Sequence, residues 1–449
     1  MNTISQSKRL SYAATDTAGQ LVFAVISNYL LYFYTDVYGI SVGIAGTILL
    51  VARCIDGVDA PVWGMILDRT RSRWGKYRPW FLWLAVPYAL LGVLTFLTPD
   101  LSPRGKVLYA ALTYIVCGIL YTGVNTPVTA ILSVLTPYPA QRVLLTTYRM
   151  IGGKVGVLLV SALALPLVAL LGHGNDKRGF TLTMPLFAAG AALLFVVAFR
   201  NLREVVASPA ERAPVLGTFG ALRGNWPWII IASSSLLFWI AYTSRVSTLV
   251  YYLTYKLGRK DLVPLMNSLD FVSVLGIVLL PWLCRFTSKR NLWLGGLVGS
   301  VAGQFLIYFA APSVPAVLAA WILGVIASAV AMTLPFSLLS DSVDYGEWKT
   351  GISAAGLLTA VGASFCLKAG TGLGGALPAW TMSAFGYIPN TRQSAASLAG
   401  IEIGFIWLPA VFFALAILPV LFYARYEAME PQIHLELEQR RAPAELERT

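Results

Sequence analysis

The chain has 449 residues, of which 57% are apolar and only 12% charged, far from the composition of a soluble globular domain. That balance excludes a water-soluble catalytic domain and predicts an all-α polytopic membrane protein. The net charge of +12 calls for no nucleic-acid partner, because the cations fall where membrane topology and anionic lipid place them.

Apolar runs of about 20 residues, the length that crosses roughly 30 Å of hydrocarbon as helix, recur along the chain. A membrane barrel would show short alternating strands instead. Twelve spans are predicted, centred near residues 28, 52, 88, 118, 158, 190, 236, 273, 301, 330, 365 and 410. The polar start, with Lys8 and Arg9, leads into a full-length span, a pattern unlike a cleaved signal peptide. Connections after the even-numbered spans carry Arg69, Arg71, Arg73, Lys76 and Arg78, then Arg142, then Arg200 and Arg203, then Arg285, Lys289 and Arg290, then Lys349. Those loops and both termini are therefore expected on the cytoplasmic side of a bacterial inner membrane. The opposing loops also hold cations, such as Arg104, Lys177 and Lys260, but fewer of them.

Residues 201–225 contain Pro209, Pro214, Gly217, Gly220 and Gly224, the composition of a cytoplasmic linker. They separate a first six-helix half, 1–200, from a second, 226–424. A charged tail, 425–449, is expected to lie on the inner membrane surface or to lack fixed structure. A short echo supports the division: LDRTRSRWGKYRPW follows the second span and LCRFTSKRNLWLG follows the eighth. Two pseudo-symmetric six-helix halves fit the major-facilitator fold, with a substrate site between them near the midplane. Cys54, Cys117, Cys284 and Cys366 show no CxxC spacing, and His173 and His434 are the only histidines. No disulfide framework, resident metal or cofactor is expected, and no nucleophile with an adjacent base suggests an enzyme.

The second span is unusual in carrying Arg53, Asp56 and Asp59 inside the apolar run VARCIDGVDAPVWG. Spacings of three put all of them on one helical face. Ionisable groups at membrane depth are expensive and mark a pathway or a paired cluster, so this face should look inward. Two carboxylates with nearby oxygens can hold a hard cation or share a proton. A purely structural Arg–Asp cluster is the other reading.

Four ordered stretches, YFYTDVYG, VARCIDGVDAPVWG, DRTRSRWGKYRPW and SDSVDYGEWKTG, together resemble the glycoside–pentoside–hexuronide:cation symporters, the melibiose-permease family. The resemblance runs through nearly the whole chain. It implies a major-facilitator fold and import of a glycoside, pentoside or hexuronide with Na⁺, H⁺ or Li⁺, without a cofactor. Asp56 matches the first carboxylate of that family's cation site. The second, normally just before the proline, is Ala60 here, with Asp59 one position earlier, so the identity of the cation stays open. Thr122 in YTGVNTP and Lys368 in FCLKAG match further cation-site positions, although a threonine within a span also commonly bonds back to its own helix.

The two sugar-binding carboxylates of melibiose permease are replaced by Gln20 and Asn125. Asp16, one turn before Gln20, stands where many family members place an acid. Amides both donate and accept, which suits sugar hydroxyls. Arg149 in TTYRMIGG matches an arginine lining the sugar site, where a guanidinium fork can grip vicinal hydroxyls or a carboxylate; charge balance against Asp16 or Asp56 is its alternative role. Arg245 and Asp270 could pair within the second half. Tyr29, Tyr32, Tyr121, Tyr148 and Trp380 could stack on sugar rings, and Gly370, Gly372, Gly374 and Gly375 suit close helix packing.

The cationic loop with Arg69, Arg73, Lys76 and Arg78 reads as a cytoplasmic latch for acids such as Asp68, Asp344 or Glu347. The expected function is secondary active symport by alternating access, with a sugar, a monovalent cation and the lipid bilayer as partners and a monomer as the working unit. A uniporter, or a carrier of lipid or another solute, on the same fold is the alternative.

Overall fold

A hydrocarbon slab offers no water to a peptide group, so each spanning segment must close its hydrogen bonds within itself. The computed structural model accordingly holds helices and no strand among the residues it describes, which are 5–136, 138–204, 224–350, 362 and 365–446. Most of the central linker, residues 351–361 and 363–364 of the expected eleventh span, and 447–449 lie outside that set, as do the side chains of Ala60 and Asp68.

In chain order the helices are α1 (Gln6–Tyr32), α2 (Val42–Arg69), α3 (Pro79–Trp83), α4 (Ala85–Thr95), α5 (Pro103–Ala130), α6 (Leu132–Leu135), α7 (Pro139–Gly172), α8 (Asp176–Asn201), α9 (Trp226–Tyr251) and α10 (Val263–Ser268). They continue as α11 (Ser273–Leu283), α12 (Lys289–Ala310), α13 (Val314–Thr350), α14 (Cys366–Ala384), α15 (Ala395–Glu402), α16 (Leu408–Phe422) and α17 (Ala424–Leu446). Local sequence starts several of them. Ser102 Oγ accepts from Gly105 N at 3.2 Å ahead of Pro103, and Asn175 Oδ1 accepts from Arg178 N at 3.1 Å, side-chain caps for amide groups that have no partner in the first turn. Eight helical segments among the described residues are long and apolar enough to cross a membrane. The other four expected spans fall on α1, α2, the pair α3 and α4, and α14, so the helix order agrees with the twelve-span reading.

Contacts gather the chain into two compact units. The first takes the described residues up to 204 together with Val246–Phe271 and Gly375–Ile401; the second takes the described residues of 224–245, of Val272–Gly374 and from Glu402 onward. In the first unit α1 packs on α7 and α8, α2 on α5, and α10 on α7. The α1–α7 contact depends on missing side chains. A Cβ at Gly156 would stand 2.8 Å from Gln20 Cβ and 2.9 Å from the Thr17 carbonyl, and one at Gly153 would stand 2.8 Å from an Asp16 carboxylate oxygen.

In the second unit α13 packs on α11 and α12, and α12 on α16, around Trp293, Phe238, Phe413, Leu334 and Leu338. Gly370 and Gly374 behave as close-packing residues, since a Cβ on either would run into the α9 backbone at the carbonyls of Leu236 and Ile240. The tail departs from expectation. Through Leu446 it is helix α17, docked on the body of the unit by buried Tyr426, Ile433 and Leu437. Trp348 Nε1 donates to Glu436 at 2.6 Å and Tyr426 OH to the Asp341 carbonyl at 2.7 Å. The charged composition of the tail hid a one-sided apolar stripe long enough to bind it down.

Gly156→Val is expected to lower the thermal transition of the purified protein in detergent, since overpacking costs roughly 1–3 kcal/mol. An unchanged transition would mean that α1 and α7 have room to part.

Candidate substrate and cation sites

Arg149 stands one turn before the glycines that bring α7 onto α1, so its guanidinium reaches across to α1 and α5. Its Nε donates to Asp16 Oδ1 at 3.2 Å, its Nη2 to Asn125 Oδ1 at 3.3 Å and its Nη1 to Thr129 Oγ1 at 3.1 Å. The structure thus brings Asp16, Asn125 and Arg149 together, with Gln20 one turn along α1 beside Gly156. Asp16 and Arg149 side chains each keep about a fifth of their surface exposed, so a ligand can reach them. The pairing with Asp16 means that Arg149 balances charge and still presents a polar fork.

On α2, Arg53 Nη1 donates to Asp56 Oδ2 at 3.0 Å, and both Asp56 and Asp59 are buried. Asp56 faces α5 where that helix has no side chain: a Cβ at Gly118 would lie 2.8 Å from Asp56 Oδ1. Thr122 follows Gly118 by one turn on α5. Trp63 fastens the same two helices by donating from Nε1 to the Ile119 carbonyl at 2.9 Å. A small cavity beside Asp56 is lined by Arg53, Phe23, Tyr88, Tyr114, Cys117 and Tyr121, among others. Lys368 lies on α14 in the second compact unit.

Between the two charge clusters sits an aromatic stack. The Phe23 and Tyr121 rings are 4.4 Å apart and nearly parallel, with the Arg53 guanidinium 5.2 Å from the Phe23 centroid. Tyr121 is one turn from Asn125 on α5, so α1 and α5 carry parts of both clusters. Of the other aromatic candidates, Tyr29 is fully buried, Tyr148 bonds Gln6, and Trp380 donates to Thr47.

The cationic loop is held within its own half. Glu204, three residues beyond α8, accepts from the backbone N–H groups of Lys76, Tyr77 and Arg78 at 3.0, 2.7 and 2.9 Å. Arg78 Nε donates to the Phe199 carbonyl and its guanidinium lies over the Phe199 ring. Burial, then the neighbouring Arg203, lowers the Arg78 pKa, against the pull of Glu204. Gly75 permits this, with φ +110° and a vacant Cβ position against the Glu204 carboxylate. Arg73 stacks on Trp74 and Arg69 ends α2 exposed; Asp344 and Glu347 belong to α13 in the other unit. Glu204 was not singled out in sequence, since a lone acid beside a linker looks like ordinary surface. Lys154 was also missed: it pairs with Asp270 at 3.1 Å. Arg245 lies over the Trp321 and Tyr242 rings.

Comparison with known proteins gives a consistent result. The profile of the family described as MFS/sugar transport protein matches residues 11–425. The isoprimeverose transporter of Lactiplantibacillus pentosus is 38% identical over 447 residues, covering 98% of this chain and 93% of that protein. The inner membrane symporter YicJ of Escherichia coli (strain K12) is 32% identical, covering 92% and 90%. Among solved structures, a D-xylose-proton symporter superposes with a TM-score of 0.66 at 18% identity, covering 92% of this chain and 96% of that one. A bacterial homologue of the lysosomal transporter Spinster gives 0.74 at 15% identity, covering 95% and 99%. These structural likenesses speak for the fold.

Arg149→Lys keeps the charge and loses the fork. Each charge-assisted hydrogen bond contributes about 1.5–3 kcal/mol, so substrate affinity in counterflow is expected to fall roughly ten- to a hundredfold, with protein abundance in the membrane unchanged. Wild-type affinity in the lysine variant would remove Arg149 from the substrate site.

Proposed function

The chain belongs to the MFS sugar transport family, as a member of the glycoside–pentoside–hexuronide type and a transporter rather than an enzyme, and on that premise we propose that it imports a glycoside with a monovalent cation. The observation that supports this most is the pair of charge clusters in the first compact unit: the Arg149 fork with Asp16 and Asn125, and the Arg53–Asp56 pair beside Asp59. They are separated by one aromatic stack. Asp16, Gln20, Asn125 and Arg149 form the sugar subsite in this reading. Asp56 and Asp59, with Thr122, form the cation site.

The chemistry of each subsite follows from its groups. The amides of Gln20 and Asn125 and the guanidinium of Arg149 offer donors and acceptors to hydroxyl groups at fixed spacing. A cation at Asp56 and Asp59 relieves the repulsion between two buried carboxylates, and Na⁺, Li⁺ or H⁺ can each do so. Symport requires that the two ligands bind more tightly together than apart. The shared helices α1 and α5 are the physical route for that coupling. Each positive charge that moves inward contributes about 2.3 kcal/mol per 100 mV, enough to concentrate a neutral sugar roughly fiftyfold. The inner membrane of a bacterium, with both termini cytoplasmic, is the setting that the charge distribution of the loops supports.

A relative that carries isoprimeverose makes that sugar the first substrate to try. Proteoliposomes with the purified protein should accumulate a glycoside under an imposed Na⁺ or H⁺ gradient. Uptake that only equilibrates, whatever the gradient, would point instead to a uniporter. Asp56→Asn should abolish uphill accumulation while sparing part of the sugar exchange; full accumulation by this variant would remove Asp56 from the coupling step.

A further inference from the structure

The ends of the first and seventh spans carry one pattern with identical spacing. Tyr32, Thr35, Asp36 and Gly39 in the first correspond to Tyr251, Thr254, Tyr255 and Gly258 in the seventh. The backbone repeats as well. Both ends widen into π-helix, over Phe33–Val37 and Tyr252–Lys256, and both close on a glycine of positive φ, +80° and +67°. Tyr38 N bonds the Phe33 carbonyl as Leu257 N bonds that of Tyr252, and Ile40 N bonds Tyr34 as Arg259 N bonds Leu253. A π-turn costs regular helix geometry and is found where a side chain must be re-aimed for function.

What the two turns aim is one cluster. Equivalent positions meet each other: the Tyr32 and Tyr251 rings touch edge to face at 6.2 Å, and Tyr255 OH donates to Asp36 Oδ1. Contacts between equivalent positions are the mark of a local two-fold axis. A third strand of the cluster comes from beyond α14. Tyr387 OH lies 2.8 and 2.9 Å from the two Asp36 carboxylate oxygens, and Asn390 Nδ2 donates to the Asp36 carbonyl at 2.6 Å. Thr35 Oγ1 donates to Asp36 Oδ2 at 2.6 Å and lies 2.7 Å from Tyr251 OH. Asp36 is only 8% exposed. At its flank, Lys260 Nζ donates to Asp176 and to Tyr32 OH, both at 2.8 Å.

We propose that this cluster is the outer gate, with Asp36 as the residue that ties the ends of the first, seventh and eleventh spans together and must release them for the site to meet the outside. The proposal rests on the carrier reading above. Its chemistry suits a reversible closure: the hydroxyls of Tyr255, Tyr387 and Thr35 and the amide of Asn390 supply the bonds to Asp36, and opening exchanges each of them for a bond to water. The duplicated motif places one acid against one phenol on the axis, and Tyr387 adds a second phenol, so removing either the acid or both phenols opens the same lock. A gate of this kind also accounts for the presence of Asp36 in the YFYTDVYG stretch, a buried acid that neither ligand cluster uses.

Asn267, which donates to Tyr29 OH at 3.2 Å, lies behind the cluster: Tyr29 is seven residues before Asp36, roughly 10 Å deeper along the helix. Asn267→Cys in right-side-out vesicles should react slowly with a membrane-impermeant thiol reagent added outside, measured against the same chain without the added cysteine. Adding Asp36→Ala, or separately Tyr255→Phe with Tyr387→Phe, should speed that reaction about tenfold or more, the loss of one to two charge-assisted bonds. The phenylalanine pair keeps the rings and so decides the matter if the Asp36 variant fails to reach the membrane. Unchanged reaction rates would overturn the gate. The thiol measurement needs no substrate, so faster reaction with no glycoside uptake by the parent would count against the symport reading alone.

Discussion

A charged side chain in an apolar slab has nowhere to place its charge except on another side chain, and that constraint organises the first compact unit. Arg53 meets Asp56 within α2, Arg149 meets Asp16 between α7 and α1, and Lys154 meets Asp270 between α7 and the turn after α10. Isolated ions at this depth would each cost several kcal/mol. Pairing removes much of that cost while leaving polar surface that a ligand can use. The seam of Gly152, Gly153 and Gly156 follows from the same need, because the arginine reaches Asp16 only if the two helices come close.

In the proposed symporter, pairing also shapes how the two ligands would sense each other. The Arg149 cluster and the Arg53–Asp56 cluster are joined through the Phe23–Tyr121 stack, and α1 and α5 contribute to both, through Asp16, Phe23, Tyr121 and Asn125. A shift of either helix by a fraction of an ångström alters the ring stack and both sets of hydrogen bonds. That is a contiguous physical connection of the kind coupling requires. At the far end of α1 the Asp36 cluster adds a third polar station, so in the carrier proposed above the first span would run from substrate contact to closure.

Much of this was legible in the sequence because the signals were local. Composition and run length predicted helices across a membrane, and the three-residue spacing of Arg53, Asp56 and Asp59 put them on one face. Asp16, Asn125 and Arg149 were named from a resemblance, and they do come together. The partners were not legible. Asp270 pairs with Lys154, more than a hundred residues earlier, and Glu204 holds the cationic loop through backbone N–H groups that leave no mark on side-chain pattern. Nor was the docking of the tail, which was expected on the membrane surface or without fixed structure, because three buried residues, Tyr426, Ile433 and Leu437, carry it among many polar ones.

The sequence by itself determined the medium, the helical order and the kinds of group available for binding, since each of these follows from residue type and spacing along one chain, and its ordered motifs carried the family resemblance. Tertiary structure decided which acid each cation meets, that Phe23 and Tyr121 stack between the two clusters, and that a motif written twice, at Tyr32 and at Tyr251, closes on itself at Asp36. Those outcomes depend on how far apart helices stand and which faces they turn to one another. Such distances are set by packing, by glycines whose absent side chains admit a neighbour, and not by any spacing within a single segment.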